Sequence, residues 1–594
     1  MKTTKTKKSV FLIALVTFAL AAAVAVGTTV IPARAALDTP TEPVWGNYYS
    51  SDYDDVDGVL EAGRALNEEI YGEGIVMLKN EDNALPLGEG AQISVFGKNS
   101  NSVLTGGSGS GAGGGGSVVT LQTALRNAGF SINPTLVGFY GNNSLSGSGR
   151  GVAPSNGTVT PGYNTGETPI SSYTDDVGAS YADYNDAALV VITRIGGEGF
   201  DLPRTMRWNG STYAQWGADA TQTVPGARSG DDHYLQLDQN ESDLIKYCGE
   251  HFDKVVVLLN TGSQFETGFL DDPGHYGYHE NTKAAFWIGY PGGNGLNALA
   301  KVLKGEINPS GKTVDTWARD FKADPVWMNF ANNMVEIDSS HKGNQYSNLP
   351  GSGGNGGGGY RNNYVLYKEG IYMGYRYYET RGYDEGAAAY TAHETLLGQT
   401  STESWDNWYD AHVVYPIGHG LSYTEFTQEI TSASPTDGAA LTEDGEISLT
   451  VRVTNTGEVA GKDVVQVYYT APYTDGGIEK AHVVLAAFDK TDVIQPGEYQ
   501  DVTVTFKVRD MASYDWNDKN GNSFEGYELD AGDYTVRLMK NAHEEYDAVS
   551  YEIAGDGFTY ETSETTDYTI ENRFDQVSDY IDDYMTRADW EGTF

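Results

Sequence analysis

Short apolar runs alternate with segments of helical period through the first half of the chain. A helical pattern starts at Val59 and runs into Glu73. It is followed by a strand at Ile93–Gly97, a helix at Leu121–Ala128, an apolar strand run from Phe130 to Phe139 and another at Leu189–Ile192. A helix around Glu241–His251, strands at Val255–Leu259 and Ala284–Ile288, and a helix at Asn294–Leu303 complete the series. Strands that alternate with helices predict a largely parallel sheet covered on both faces, so an α/β sandwich domain is expected over 60–337. The spacing then changes. Ile447–Val453, Asp463–Tyr469, Val502–Val508 and Tyr534–Leu538 alternate with period two, which predicts an all-β sandwich over 426–556. Leu529-Asp-Ala-Gly-Asp-Tyr534 has the spacing of a tyrosine corner. Between the two domains lie a glycine-rich stretch from 338 and an aromatic connecting segment that ends near 425, and residues 557–594 read as a tail.

One loop carries candidate chemistry. The run Leu189–Ile192 leads into Arg194-Ile-Gly-Gly-Glu198-Gly-Phe-Asp201-Leu-Pro203, which presents a carboxylate at the carboxyl end of a buried strand, where open α/β sheets place their ligands. Glycines on both sides of Glu198 permit a sharp turn and leave room for a ligand, and apolar neighbours favour the protonated carboxyl of a proton donor. A solvated loop acid is the alternative that the pattern leaves open. Asp201 reads as a residue that orients the loop, since Pro203 stiffens the exit. Glu266, just past Asn260-Thr-Gly262, is the competing acid, although no glycine precedes it directly.

Length and charge narrow the rest. A chain of 594 residues exceeds a single core. With 82 acidic against 38 basic residues it carries a formal charge of -44, which repels phosphate backbones, so no nucleic-acid partner is expected. Charged residues make up only 20% while Gly (73) and Tyr (41) abound, which favours folded, loop-rich domains over an acidic disordered chain. The N-terminus has Lys2, Lys5, Lys7 and Lys8, an apolar run Val10–Ile31 and Ala33-Arg-Ala35, the order of a secretory signal. Residues 1–35 are therefore expected to direct export, by cleavage or as an uncleaved anchor, with a linker at 36–59. The single cysteine, Cys248, can form no internal disulfide and reads as a small core residue.

Three patterns imitate ligand sites. Gly106–Gly113 after a strand invites a dinucleotide reading, but no acidic residue follows the next strand to hold a ribose. A wide glycine loop instead suits a bulky polyhydroxylated ligand, with Ser108 and Ser110 as hydrogen-bonding partners. Asp515-Trp-Asn-Asp-Lys-Asn-Gly521 resembles a calcium loop, yet alignment on Gly521 puts Trp516 and Tyr527 where carboxylates are needed, so a hairpin turn is expected. His275, His279 and His419 lack metal-ligand spacing, and neither metal nor cofactor is expected.

Several ordered segments together resemble glycoside hydrolase family 3. They are Glu73–Leu87, Tyr290-Pro-Gly-Gly-Asn-Gly through Gly311-Lys312, Lys368-Glu-Gly-Ile-Tyr-Met-Gly-Tyr-Arg376, and Pro416-Ile-Gly-His-Gly-Leu-Ser-Tyr423-Thr-Glu-Phe426. Val451-Arg-Val-Thr-Asn-Thr-Gly457, Val464-Val-Gln-Val467 and Pro496-Gly-Glu498 resemble its fibronectin type III-like domain. The resemblance implies an exo-acting, retaining β-glucosidase-like enzyme on β-linked oligosaccharides or glycosides, with Glu198 matching the family's general acid/base. It also implies a domain-swapped order, sandwich first, in which the nucleophile and most sugar-binding residues belong to a TIM barrel. Met585-Thr-Arg-Ala-Asp-Trp590 resembles the junction to that barrel, which is expected to act in cis or in trans. Asp515-Trp516 and Asp589-Trp590 imitate the nucleophile's Asp-Trp pair, but neither stands in a barrel context, so neither is assigned. The alternative is a carbohydrate-binding or assembly module without activity alone.

Overall fold

The computed structural model describes residues 52–107, 109, 117–151, 164–197, 202–203, 205–208, 222–327, 369–396, 405–573 and 584–590. The signal-like residues 1–35 lie outside them. Packing divides the chain into two compact units, Met1–Ala62 and Gly63–Phe594. In the first, the Gly58 N–H donates to Asp55 Oδ1 (2.7 Å) near the start of helix α1 (Val56–Gly74). Every later element belongs to the second.

The α/β layer is built from β1 (Val76–Asn80), β2 (Gln92–Phe96), α2 (Leu121–Asn127), β3 (Ser131–Ile132), α3 (Pro134–Gly141) and β4 (Ala187–Arg194). A small hairpin, β5 (Arg207–Trp208) and β6 (Gln222–Thr223), precedes α4 (Gln239–His251). Then come β7 (Val255–Thr261), β8 (Thr282–Trp287) and α5 (Leu296–Lys304). The sheet order is β1-β8-β7-β4-β2-β3, parallel throughout except for β1, which runs antiparallel to β8 at one edge.

Period two decides which way each β4 residue faces. Ala187, Leu189 and Val191 enter one apolar cluster with Leu121, Leu125, Leu299 and Leu303, so α2 and α5 cover that face. Ala188, Val190 and Ile192 enter the other with Leu136, Phe139, Leu244, Ile245 and Cys248, so α3 and α4 cover the opposite one. A strand buried on both faces reads as a continuous apolar run, which is why β4 was legible. The run Phe130–Phe139 was not. Its strand stops at Ile132, Asn133 accepts N–H bonds from Thr135 and Leu136, and Pro134 opens α3. The cap and the first-turn proline outweigh the apolar content.

After β9 (Trp317–Ala318), the connecting region holds α6 (Tyr375–Leu396), α7 (Trp405–His412) and β10 (Val413–Tyr415), which pairs with β9. The all-β part opposes two sheets. β11 (Phe426–Ser434), β12 (Glu446–Asn455) and β15 (Tyr499–Lys507) make one; β13 (Val464–Thr470), β14 (Val484–Lys490), β18 (Gly532–Met539) and β19 (Glu545–Ile553) make the other. Inward residues such as Val451, Val467, Val504 and Val536 fill the space between them. The Tyr534 hydroxyl donates to the Asp530 carbonyl (3.0 Å), which completes the expected tyrosine corner. β16 (Ser513–Asp515) and β17 (Gly526–Leu529) form a hairpin, with the Asp515 carboxylate accepting N–H bonds from Asn517, Lys519 and Asn520 across the turn. β20 (Phe558–Tyr560) pairs with β17, so the β layer continues past residue 556.

The two domains meet across a polar seam. Glu73 at the end of α1 pairs with Lys462 (2.6 Å) and Lys490 (2.5 Å), and Lys312 pairs with Asp463 (3.1 Å). The His419 ring contacts the Leu78 carbonyl through Nε2 (2.9 Å), and burial lowers its pKa to about 4, so it acts as a neutral donor.

Candidate functional site

β4, β7 and β8 deliver three chain segments to one end of the sheet. At the end of β7, the side chain of Asn260 accepts from the Leu104 N–H (2.7 Å) and donates to the carbonyls of Leu104 (2.9 Å) and Gly289 (2.7 Å). One amide thus ties the loop after β2 to the loop after β8. Gly107 comes so close to the β4 exit that a Cβ there would stand 3.0 Å from the Gly196 carbonyl oxygen. A Cβ on Gly262 would stand 2.5 Å from the Tyr290 ring. Gly262 needs glycine because the ring leaves no room for a side chain, and at Gly107 any side chain would press on the β4 exit.

The exit of β4 is held more tightly than a loop stem requires. The Arg194 guanidinium donates to both Glu241 oxygens (2.6 Å each) and to the Tyr234 and Gln236 carbonyls, and it lies 4.9 Å from the Phe265 ring centre. Both partners are buried. Burial alone would lower the arginine pKa, but the Glu241 carboxylate outweighs it and holds the guanidinium above its ordinary value. Glu241 is in turn fixed by a capping box with Asp238, the N-cap of α4. The next two residues are also engaged: the Ile195 N–H donates to the Tyr234 hydroxyl (3.0 Å) and the Gly196 N–H to the Tyr290 hydroxyl (3.3 Å), which itself donates to the Arg194 carbonyl (3.2 Å).

Burial raises two carboxyls behind this exit. Glu167 accepts only backbone N–H bonds, from Lys98 and Thr168, and burial pushes its carboxyl up to about 8. Burial, followed by the Glu241 charge, likewise raises Asp238. A cleft of about 370 Å³ opens at the β4 exit, lined by Lys98, Asn99, Asn101, Ser102, Arg150 and Ile195 among others, and Glu167 lines a separate one of about 600 Å³.

Glu198, Asp201, Ser108 and Ser110 lie outside the described residues. Their described neighbours Gly107 and Gly196 bring the bases of the two glycine loops together. Glu266, the competing acid, is occupied: its carboxylate receives the His233 ring Nε2 (2.7 Å) and the Phe321 N–H (2.8 Å). Because His233 Nδ1 accepts the Leu235 N–H (3.2 Å), the ring proton sits on Nε2 and points at Glu266. Both bonds end on Oε1, so they orient the carboxylate without engaging its second oxygen.

Sequence reasoning missed Arg194, Tyr234, Glu241, Tyr290 and Asn260. Asp238-x-x-Glu241 has the spacing of a helix-capping box and was readable. Arg194 also signals itself, as a charge that ends an apolar run. The two tyrosines carry no local pattern, since each reaches the loop through the tertiary fold. Among the described residues, no group of three or more His, Cys, Asp or Glu is arranged to hold a metal ion.

Two family models match the chain. The glycosyl hydrolase family 3 C-terminal domain covers residues 75–375, and a fibronectin type III-like domain covers 463–542. Beta-glucosidase A of Butyrivibrio fibrisolvens is 30% identical over 455 residues, which is 75% of this chain and 45% of that protein. A beta-glucosidase of Ruminococcus albus is 29% identical over 79% of this chain and 38% of its own length. The chain therefore spans less than half of these two curated relatives. Among solved structures, a beta-glucosidase from Paenibacillus barengoltzii aligns with a TM-score of 0.60 at 27% identity, covering 84% of this chain and 43% of the other. Beta-glucosidase 3B from Thermotoga neapolitana, in complex with α-D-glucose, also aligns at 0.60 with 25% identity, covering 86% and 56%.

Proposed function

The chain belongs to glycosyl hydrolase family 3, and from that premise we propose that it supplies the general acid/base of an exo-acting, retaining β-glucosidase-like enzyme. The carboxyl is that of Glu198. It protonates the departing glycosidic oxygen in the first step and activates water in the second, while a nucleophilic carboxylate from a TIM barrel, in cis or in trans, attacks the anomeric carbon. The substrate class is β-linked oligosaccharides or glycosides, met outside the cell. Asp201 orients the loop, and Ser108 and Ser110 on the neighbouring loop are hydrogen-bonding partners for sugar hydroxyls.

The observation that carries this reading is the convergence at the end of the parallel sheet. The stem that leads to Glu198 is fixed at Ile195 and Gly196, it abuts the glycine loop after β2, and the rival Glu266 is engaged by His233 and Phe321. The relatives named beta-glucosidase are consistent with the substrate class.

The test compares Glu198→Ala with the unaltered protein, barrel present, on a disaccharide and on an activated aryl β-glucoside. Loss of the acid is expected to slow the poor leaving group by about 10²- to 10⁴-fold and the activated one far less, and azide should restore turnover of the aryl substrate. Equal rates for the variant and the unaltered protein on both substrates, or the same signature in Glu266→Ala, would overturn the assignment. A glycan-binding module remains the second reading, since the matched segments align with under half of the two curated relatives above. Binding of a β-linked oligosaccharide by a protein that shows no turnover even with the barrel added would favour it.

A further inference from the structure

We infer that Tyr234 and Tyr290 are positioning residues that set the direction in which the Glu198 loop leaves the sheet; this rests on the reading of Glu198 as the acid/base. Tyr234 closes the loop at both ends. Its hydroxyl receives the Ile195 N–H (3.0 Å) on the way in, and its own backbone N–H donates to the Pro203 carbonyl (3.0 Å) on the way out. Its carbonyl takes the Arg194 Nε proton, so the residue is itself pinned by the buried pair beneath it. Ile195 and Leu202, one from each stem, pack in the same small apolar cluster as Tyr234 and Met206.

Tyr290 acts on the other side of the entering stem. It accepts from the Gly196 N–H (3.3 Å) and donates to the Arg194 carbonyl (3.2 Å), and its ring fills the space that Gly262 leaves open. Two rigid phenols rooted in different elements thus bind consecutive amides of one strand exit. A pair of such anchors fixes both the position and the twist of the peptide planes at Ile195 and Gly196, on the stem that leads towards Glu198. A general acid must lie within hydrogen-bond reach of the leaving oxygen, and about 1 Å of displacement costs about 10²-fold in rate. Neither tyrosine needs to touch the substrate for its hydroxyl to matter.

Tyr234→Phe and Tyr290→Phe delete one oxygen each and keep the ring. Hydrogen exchange on the 594-residue chain reads the anchors directly: the Ile195 amide should exchange faster in Tyr234→Phe, the Gly196 amide in Tyr290→Phe, and the β4 interior should stay protected in both. With the barrel present, kcat on a disaccharide should fall about 10- to 100-fold with KM little changed, while an activated aryl β-glucoside should lose no more than about threefold. Tyr551→Phe, whose hydroxyl donates to the Pro435 carbonyl in the β-sandwich, should change neither substrate. Unchanged exchange at Ile195 and Gly196 would overturn the inference, as would faster exchange with both substrates slowed equally. Glu198→Ala run in parallel separates the two readings: if it shows the leaving-group signature and the tyrosine variants do not, the positioning role alone falls. If Glu198→Ala itself lacks the signature, the acid/base reading falls and takes this inference with it.

Discussion

In the α/β sandwich, Arg194, Glu241, Asp238 and Glu167 are ionisable side chains set behind the carboxyl end of the sheet with almost no exposed surface. In the β-sandwich, the pairs Arg452–Asp501, Lys507–Glu564 and Arg537–Glu545 lie at the surface around an apolar interior. Both domains fold from alternating apolar residues and both bury some charge, as at Lys480, Asp515 and Glu528 of the β-sandwich, yet among the described residues only the first buries both partners of an arginine–carboxylate pair, and it does so behind a strand exit. Desolvating a charge is expensive, so a fold that needs only stability keeps its ions in water. The buried set is therefore read as a device for holding geometry, and the contrast teaches where geometry matters in this chain.

The sharpest way to break the contrast is to cut one pair of each kind. Glu241→Gln leaves the Arg194 guanidinium buried with half its partner gone and is expected to cost the α/β domain ~3–5 kcal/mol in urea denaturation. Replacing both partners, as Arg194→Met with Glu241→Leu, should recover much of that loss. A single variant as mild as a surface change would mean that the pair is not the keystone of the exit.

A titration gives the next effect. Glu167 has its carboxyl raised to about 8 in the fold, so its contribution is fully present below the unfolded value near 4.5 and is lost as pH rises towards 8. Asp238, also raised, acts in the same direction. The α/β domain should thus weaken between pH 5 and pH 8, with up to ~4 kcal/mol of that from Glu167 alone, and Glu167→Gln should flatten the slope. The β-sandwich surface pairs run the other way: Arg452 lowers Asp501 and Lys507 lowers Glu564, so their contribution is lost only in acid. A β-sandwich that weakens over the same interval as the α/β domain would remove the distinction.

The smallest effect belongs to those surface pairs. Asp501→Asn should shift the denaturation midpoint of the β-sandwich by no more than replicate scatter, and salt should erase what remains. A shift that rivals Glu241→Gln would show that exposed ions matter here as much as buried ones.

The fold was more legible than the site for a physical reason. Leu189–Ile192 and the strands Ile447–Val453 and Val502–Val508 carry their periods within a few residues, and each forms the expected element. Phe130–Phe139 misled because Asn133 and Pro134 impose a helix start that apolar content conceals. The motif around Glu198 could be read for its glycines, and the family model that spans 75–375 matches the resemblance carried by segments such as Glu73–Leu87 and Tyr290–Lys312. What holds that loop could not be read in the same way. Tyr234 and Tyr290 lie far from Ile195 in sequence: the order β8-β7-β4 brings Tyr290 to the exit, and the segment that leads into α4 brings Tyr234.

Cys248 takes on another meaning once its place is known. It lies wholly buried in α4 against the sheet, and burial raises its thiol well above the usual range, so little of the reactive thiolate exists. In oxidising surroundings, one exposed thiol per molecule is the number that couples copies into dimers. With the sulfur enclosed by helix and sheet, the folded protein should resist coupling through Cys248, and chains that have opened should be the ones that cross-link.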